Sequence, residues 1–284
     1  MKKLLFLLSM LFCVVACGAK FEIFEIESQT LNTKRAYSVL FPDEYETSTN
    51  TYYPVIFALH GYGDKVDCFF KNTQFTNHYE TALAKGELPP SLIITPQSMG
   101  GEEKAGIGYF NQPNWLFETF FFEEFLPHVE KTFRVKKEKK FRAITGDSMG
   151  GGGAIAYAQH HPELFAVCYA MSPWINCNYW SPEKDFATPD YYLSRAVEGY
   201  DGVLFVKRAS SQTKENLKTV KWFVNVGDDD FLFECSSEFH SAMRKAGIPS
   251  QLRVGDGVHS WHYWNKIMPD VLSYIGSVFK EAEK

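Results

Sequence analysis

The chain has no C-x-x-C pair, no long block of like charge, no low-complexity linker and no internal repeat. The first absence argues against a structural zinc site, which draws its thiolates from such pairs, and no metal is expected. Lysine and arginine number 29 against 34 aspartates and glutamates, a net charge of −5, so a nucleic-acid partner is not expected. The one short basic run, Lys136-Lys137-Glu138-Lys139-Lys140, falls between a predicted helix and a predicted strand and reads as a solvated loop. Beyond the N-terminus no apolar run is long enough for a membrane helix, so the body of the chain is expected to be soluble. Without repeats or linkers, residues 17–284 are expected to form one domain.

What the chain has at its start is a targeting pattern. Lys2 and Lys3 precede the apolar stretch Leu4–Val15, which suits a signal peptide and is short for a bilayer span. Val14-Val15-Ala16-Cys17 resembles the bacterial lipoprotein cleavage box. That reading makes 1–16 a signal peptide and Cys17 the lipidated first residue, with the protein exported and anchored at the periplasm or cell surface. An ordinary secretory signal cut near Ala16 or Ala19 is the alternative. Of the remaining cysteines, Cys68, Cys168, Cys177 and Cys235 could oxidise in an exported chain, and the sequence leaves their pairing open.

Alternation over Phe21–Ile26 and Lys34–Leu40 predicts two half-exposed strands. Short apolar runs at Val55–Leu59, Leu92–Thr95, Phe141–Thr145, Ala166–Met171 and Trp222–Val226 predict buried parallel strands, with a weaker one at Gln251–Val254. Helical periodicity covers Leu116–Thr132, Leu232–Ala246 and Trp261–Phe279. The alternation predicts an α/β fold: a mostly parallel central sheet with helices on both faces. Two connections are long, Pro96–Asn114 and Ser172–Thr219, and long loops at strand ends are commonly lids or binding walls. Aromatic content is high at 16%, and Trp174, Trp180 and Trp261 are candidate substrate contacts.

Gly146-Asp147-Ser148-Met149-Gly150 is a G-x-S-x-G pentapeptide with an apolar strand running in and a small-residue helix running out. That context marks a nucleophile elbow, in which a strained turn lifts a serine hydroxyl above the sheet. A serine needs a base, an orienting acid and an oxyanion pocket. His259, after the last strand, is the candidate base. Asp230, in Gly227-Asp228-Asp229-Asp230-Phe231, is the preferred acid, with Asp228 and Asp229 as rivals. Backbone N–H groups of Met149 and of Tyr62, in the loop His60-Gly61-Tyr62-Gly63, are the candidate oxyanion donors. His60 is expected to brace that loop. His160 and His161 are expected at the surface.

These motifs, with His161-Pro162-Glu163-Leu164-Phe165 and His259-Ser260-Trp261-His262-Tyr263-Trp264, resemble the esterase D-like α/β-hydrolases, which include feruloyl and acetyl-xylan esterases of carbohydrate esterase family one. The resemblance runs from about Tyr52 to the C-terminus. It implies the α/β-hydrolase fold, serine esterase activity without a cofactor, and Ser148, Asp230 and His259 as the triad. With export, it implies acyl decorations of plant polysaccharides or their oligomers as substrate. An S-formylglutathione hydrolase, a siderophore esterase or an acyltransferase on the same scaffold are the alternatives.

Overall fold

Val55–Leu59 (β3), Leu92–Pro96 (β4), Arg142–Asp147 (β7) and Val167–Met171 (β8) are buried at every residue. They read as mostly apolar runs because they lie inside a sheet covered on both faces, where neither side of the pleat meets water. The computed structural model describes residues 18–99, 108–112, 115–175 and 199–284. Around the four buried strands are Lys20–Ser28 (β1), Thr33–Phe41 (β2), Lys221–Gly227 (β9) and Ser250–Gly255 (β10). The eight-stranded sheet has the order β1-β2-β4-β3-β7-β8-β9-β10. The pairs β1–β2 and β2–β4 are antiparallel, and every pair from β4 to β10 is parallel. Two short strands, Asn111–Gln112 (β5) and Trp115–Leu116 (β6), pair apart from it.

Alternate side chains of β3 feed two cores. Val55, Phe57 and Leu59 join one, Ile56 and Ala58 the other. The first core is roofed by α3 (Phe117–Phe120), a π-helical turn (Phe121–Phe125) and α4 (Leu126–Thr132), and by α5 (Met149–His160) and α8 (Phe233–Lys245). The second is covered by α1 (Cys68–Asn72), α2 (Phe75–Ala84) and α9 (Trp261–Glu281). The Leu116–Thr132 periodicity thus resolves into a helix interrupted by a π turn, which lets Phe120, Phe121 and Phe125 all turn inward. Part of the long Ser172–Thr219 connection is helical: α6 (Gly202–Arg208) and α7 (Ser211–Leu217), capped by the Asp201 and Ser210 side chains.

The chain leaves β3 to form β4 on one side and later β7 on the other. Such a reversal of strand order opens a crevice at the carboxyl ends of the strands. The loops following β3, β7, β9 and β10 carry His60–Gly63, Ser148, Asp228–Asp230 and Gly257–His259 respectively. The sheet order, rather than proximity in sequence, brings these segments to one rim.

Candidate active site

β7 ends at Asp147 and α5 begins at Met149, which leaves Ser148 alone in the turn. Its φ of 52° and ψ of −118° are costly for a non-glycine residue. The turn is held by close packing: a Cβ on Gly150 would collide with the Leu59 carbonyl, and one on Gly146 would lie 2.5 Å from the Gly150 oxygen. Hydrogen bonds complete the clamp. Ser148 N–H donates to the Met171 carbonyl at 2.9 Å, and the Ser148 carbonyl accepts from Trp174 N–H at 2.9 Å. Two glycines therefore hold the strain, and their neighbours fix where the hydroxyl points.

The Ser148 hydroxyl donates to His259 Nε2 at 2.9 Å. On the far side of the ring, His259 Nδ1 lies 2.9 and 3.0 Å from the two carboxylate oxygens of Asp230. A carboxylate only accepts, so Nδ1 carries the ring proton and Nε2 is left free to accept. Asp230 is 3% exposed. Burial pushes its carboxyl up, but the His259 hydrogen bond and charge, with help from Ser172 and the Leu232 amide, hold it below the usual value. Leu232 N–H donates to Asp230 Oδ1 at 2.8 Å. The rival carboxylates stand elsewhere: Asp228 and Asp229 are exposed, and Asp228 accepts from Gly257 N–H at 3.0 Å, tying down the loop that carries His259.

A cavity of about 400 Å³ opens over Ser148, and the Tyr62 and Met149 segments both line it. Met149 is the first residue of α5, so its N–H has no partner within the helix. His60 is fully buried and bridges the loop: Nδ1 meets the Gly61 carbonyl at 2.8 Å, and Nε2 accepts from Ser98 N–H at 3.1 Å. Burial pulls its pKa down to about 4, so it stays neutral and donates through one nitrogen. Trp174 and Trp261 line the cavity too. Trp180 and Cys177 lie outside the described residues, as do Cys17 and the N-terminal segment.

Several side chains at the site carry no signal of their own in the sequence. Phe231 is half exposed, with its ring 4.4 Å from that of His259, and Trp264 packs edge-on to the same imidazole at 5.0 Å. Asp64 and Asp147 also line the cavity. Asp147 stands inside the pentapeptide at the position where any residue fits the motif, and the motif is silent about it. His160 and His161 are not free surface residues. Both approach Glu118, His160 Nδ1 at 2.7 Å, and they hold its carboxyl down at about 2 against the opposing effect of burial.

Cys68, Cys168 and Cys235 are buried free thiols. Among the described residues no cluster of three or more His, Cys, Asp or Glu could hold a metal, and no helix is long and apolar enough to cross a membrane.

The arrangement can take a proton from a hydroxyl, stabilise the resulting imidazolium and accommodate an organic ligand above it. Comparison with known proteins agrees in family and fold. A solved ferulic acid esterase is 38% identical, with a TM-score of 0.87 over 92% of this chain and 99% of its own. Esterase Rv1288 of Mycobacterium tuberculosis is 27% identical over 270 residues, 83% of this chain, and this chain spans 55% of its length. An S-formylglutathione hydrolase of Staphylococcus aureus is 19% identical, with a TM-score of 0.71 over 91% of this chain and 99% of its own, a likeness of fold. The family model described as "putative esterase" matches residues 28–275, and the chain belongs to that family, built on an α/β-hydrolase fold.

Proposed function

We propose that the protein is a serine carboxylic ester hydrolase that cleaves acyl groups, feruloyl or acetyl, from plant polysaccharides or their oligosaccharides. The observation that carries this reading is the chain of contacts from Ser148 Oγ to His259 Nε2 at 2.9 Å, and from His259 Nδ1 to a carboxylate held ionised at Asp230. In this mechanism Ser148 Oγ attacks the ester carbonyl carbon as its proton passes to His259. The Tyr62 and Met149 amides receive the oxyanion. The imidazolium, supported by Asp230, protonates the departing alcohol. Water then adds to the acyl-enzyme through the same histidine and releases the acid.

The feruloyl reading is supported by the 38% identity to the ferulic acid esterase, against 19% for the S-formylglutathione hydrolase. The Asp64 carboxyl at the cavity also disfavours a leaving group as anionic as glutathione. Export through the N-terminal segment, with lipidation at Cys17, belongs to the same reading because it brings the enzyme to polymeric substrates. Metabolic labelling with a palmitate analogue, lost in Cys17→Ala, tests it.

The esterase itself is tested with Ser148→Ala. Turnover of p-nitrophenyl acetate and methyl ferulate falls by at least about 10⁴-fold, and labelling by a fluorophosphonate probe disappears. Unchanged turnover in a folded variant would end the proposal.

A further inference from the structure

The loop that carries Tyr62 is backed by two carboxyl groups that the hydrolytic mechanism leaves unused. A Cβ on Gly61 would lie 2.6 Å from Asp147 Oδ2, 3.2 Å from Asp64 Oδ2 and 3.6 Å from Ser148 Cβ. The two acids therefore converge on one Cα beside the serine. Asp147 is 0% exposed, and neither of its carboxylate oxygens has a hydrogen-bond partner. Its own amide and that of Gly61 lie near enough to lower its pKa somewhat, but not in hydrogen-bonding geometry. Burial, and next the charge of Asp64, hold the Asp147 carboxyl well above its ordinary value. Asp147 is thus biased toward its protonated form, with the Asp64 carboxyl beside it.

Asp64 differs in one respect: it is only partly buried and borders the cavity. Burial moves its pKa up to about 6, opposed by a hydrogen bond from the Trp261 side chain. That tryptophan follows His259 by two residues and also lines the cavity. The leaving alcohol is the part of the substrate that His259 protonates, so groups tied to the segment after His259 flank the alcohol half of the ester. An accepting carboxylate beside the exposed part of an indole suits a neutral ring bearing hydroxyl groups, which donates hydrogen bonds from its edge and stacks its apolar face.

We propose that Asp64, which lines the cavity with Trp261 and converges with Asp147 on Gly61, forms a subsite that accepts hydroxyl groups on the alcohol half of the substrate, and so selects esters of sugars over esters of simple alcohols. The inference rests on the esterase reading and adds the recognition of the leaving group. An anionic alcohol is repelled there, and one without hydroxyl groups offers Asp64 no hydrogen bond.

The test uses two esters with the same acyl group, feruloyl-arabinose and methyl ferulate, on the full-length wild type, Asp64→Asn and Asp147→Asn. For Asp64→Asn the ratio of kcat/KM for the sugar ester to that for the methyl ester falls roughly tenfold to a hundredfold, mainly through KM, as expected for loss of a hydrogen bond to a charged group. Asp147→Asn leaves the Asp64 carboxylate in place, and its ratio falls less. A ratio unchanged in folded Asp64→Asn overturns the subsite while leaving the esterase intact. Wild-type protein that cleaves neither ester overturns both. Should Asp64→Asn not fold, inhibition by free arabinose decides with wild type alone: competitive inhibition of methyl ferulate turnover is expected, and none overturns the proposal. An ester of an amino alcohol that loses more than the sugar ester in Asp64→Asn would overturn it in favour of a cation site.

Discussion

Asp230 and Asp147 are almost equally hidden, 3% and 0% exposed, and both stand close to Ser148. Their pKa values are nevertheless shifted in opposite directions. Asp230, on the imidazole side, accepts from His259 and Leu232 and is held below its ordinary pKa. Asp147, on the loop side, has no partner of good geometry, faces a second carboxylate and is held well above. Burial pushes both in the same direction, so the difference comes from what each carboxylate touches. A buried acid with donors is a fixed negative charge, and one without them is a neutral hydrogen-bond donor.

The largest effect that sharpens this contrast is expected at Asp230. Asp230→Asn keeps the shape but offers the imidazole an amide, which favours the wrong tautomer, and kcat should fall by about 10³- to 10⁴-fold in steady-state assays at neutral pH. If Asp147→Asn cost as much, the two acids would have the same role and the contrast would fail. A smaller loss is expected at Gly61. Gly61→Ala sets a methyl group 2.6 Å from Asp147 Oδ2, so the loop must shift and its N–H moves from the oxyanion; kcat should fall about 10²-fold with the thermal transition retained.

The smallest effect is on stability, and its sign separates the two acids. The folded-state pKa of Asp147 is raised, so the folded protein holds a proton that the unfolded chain releases above its ordinary value of 3.8. Stability conferred by that proton is complete below 3.8 and declines as pH climbs toward the folded value. Asp147→Asn does not titrate. Relative to wild type, it should gain stability as pH rises from 4 to 8 in urea unfolding. Asp230, with a lowered pKa, follows the reverse course: its ionised state stabilises the fold above 3.8, and that contribution fades as pH falls through the folded value. A flat pH dependence for the Asp147→Asn difference would show that Asp147 is ionised after all.

Much of the fold was legible because buried parallel strands and the elbow leave local signatures. The run Val55–Leu59 matches its strand to the residue, and the elbow was readable from glycines whose Cβ atoms would strike a neighbouring backbone. The helix Cys68–Asn72 was not, because a short helix covering a sheet needs only a few inward residues and shows little periodicity. The π turn at Phe121–Phe125 was equally silent, since five phenylalanines within Phe117–Phe125 satisfy many helical phases. At the site, Ser148 announced itself through its motif. Phe231 and Trp264 did not, because ordinary core residues have the same composition.

By itself, the sequence determined the strained serine turn, the succession of the main strands along the chain and the family, since these depend on short local motifs. Only the tertiary structure decided which of three consecutive aspartates faces the imidazole. Only it could show that Asp64 and Asp147, far apart in the chain, meet at Gly61. The physical reason is that a carboxylate's charge and role are set by the donors and charges within a few ångströms, and here those come from loops after different strands.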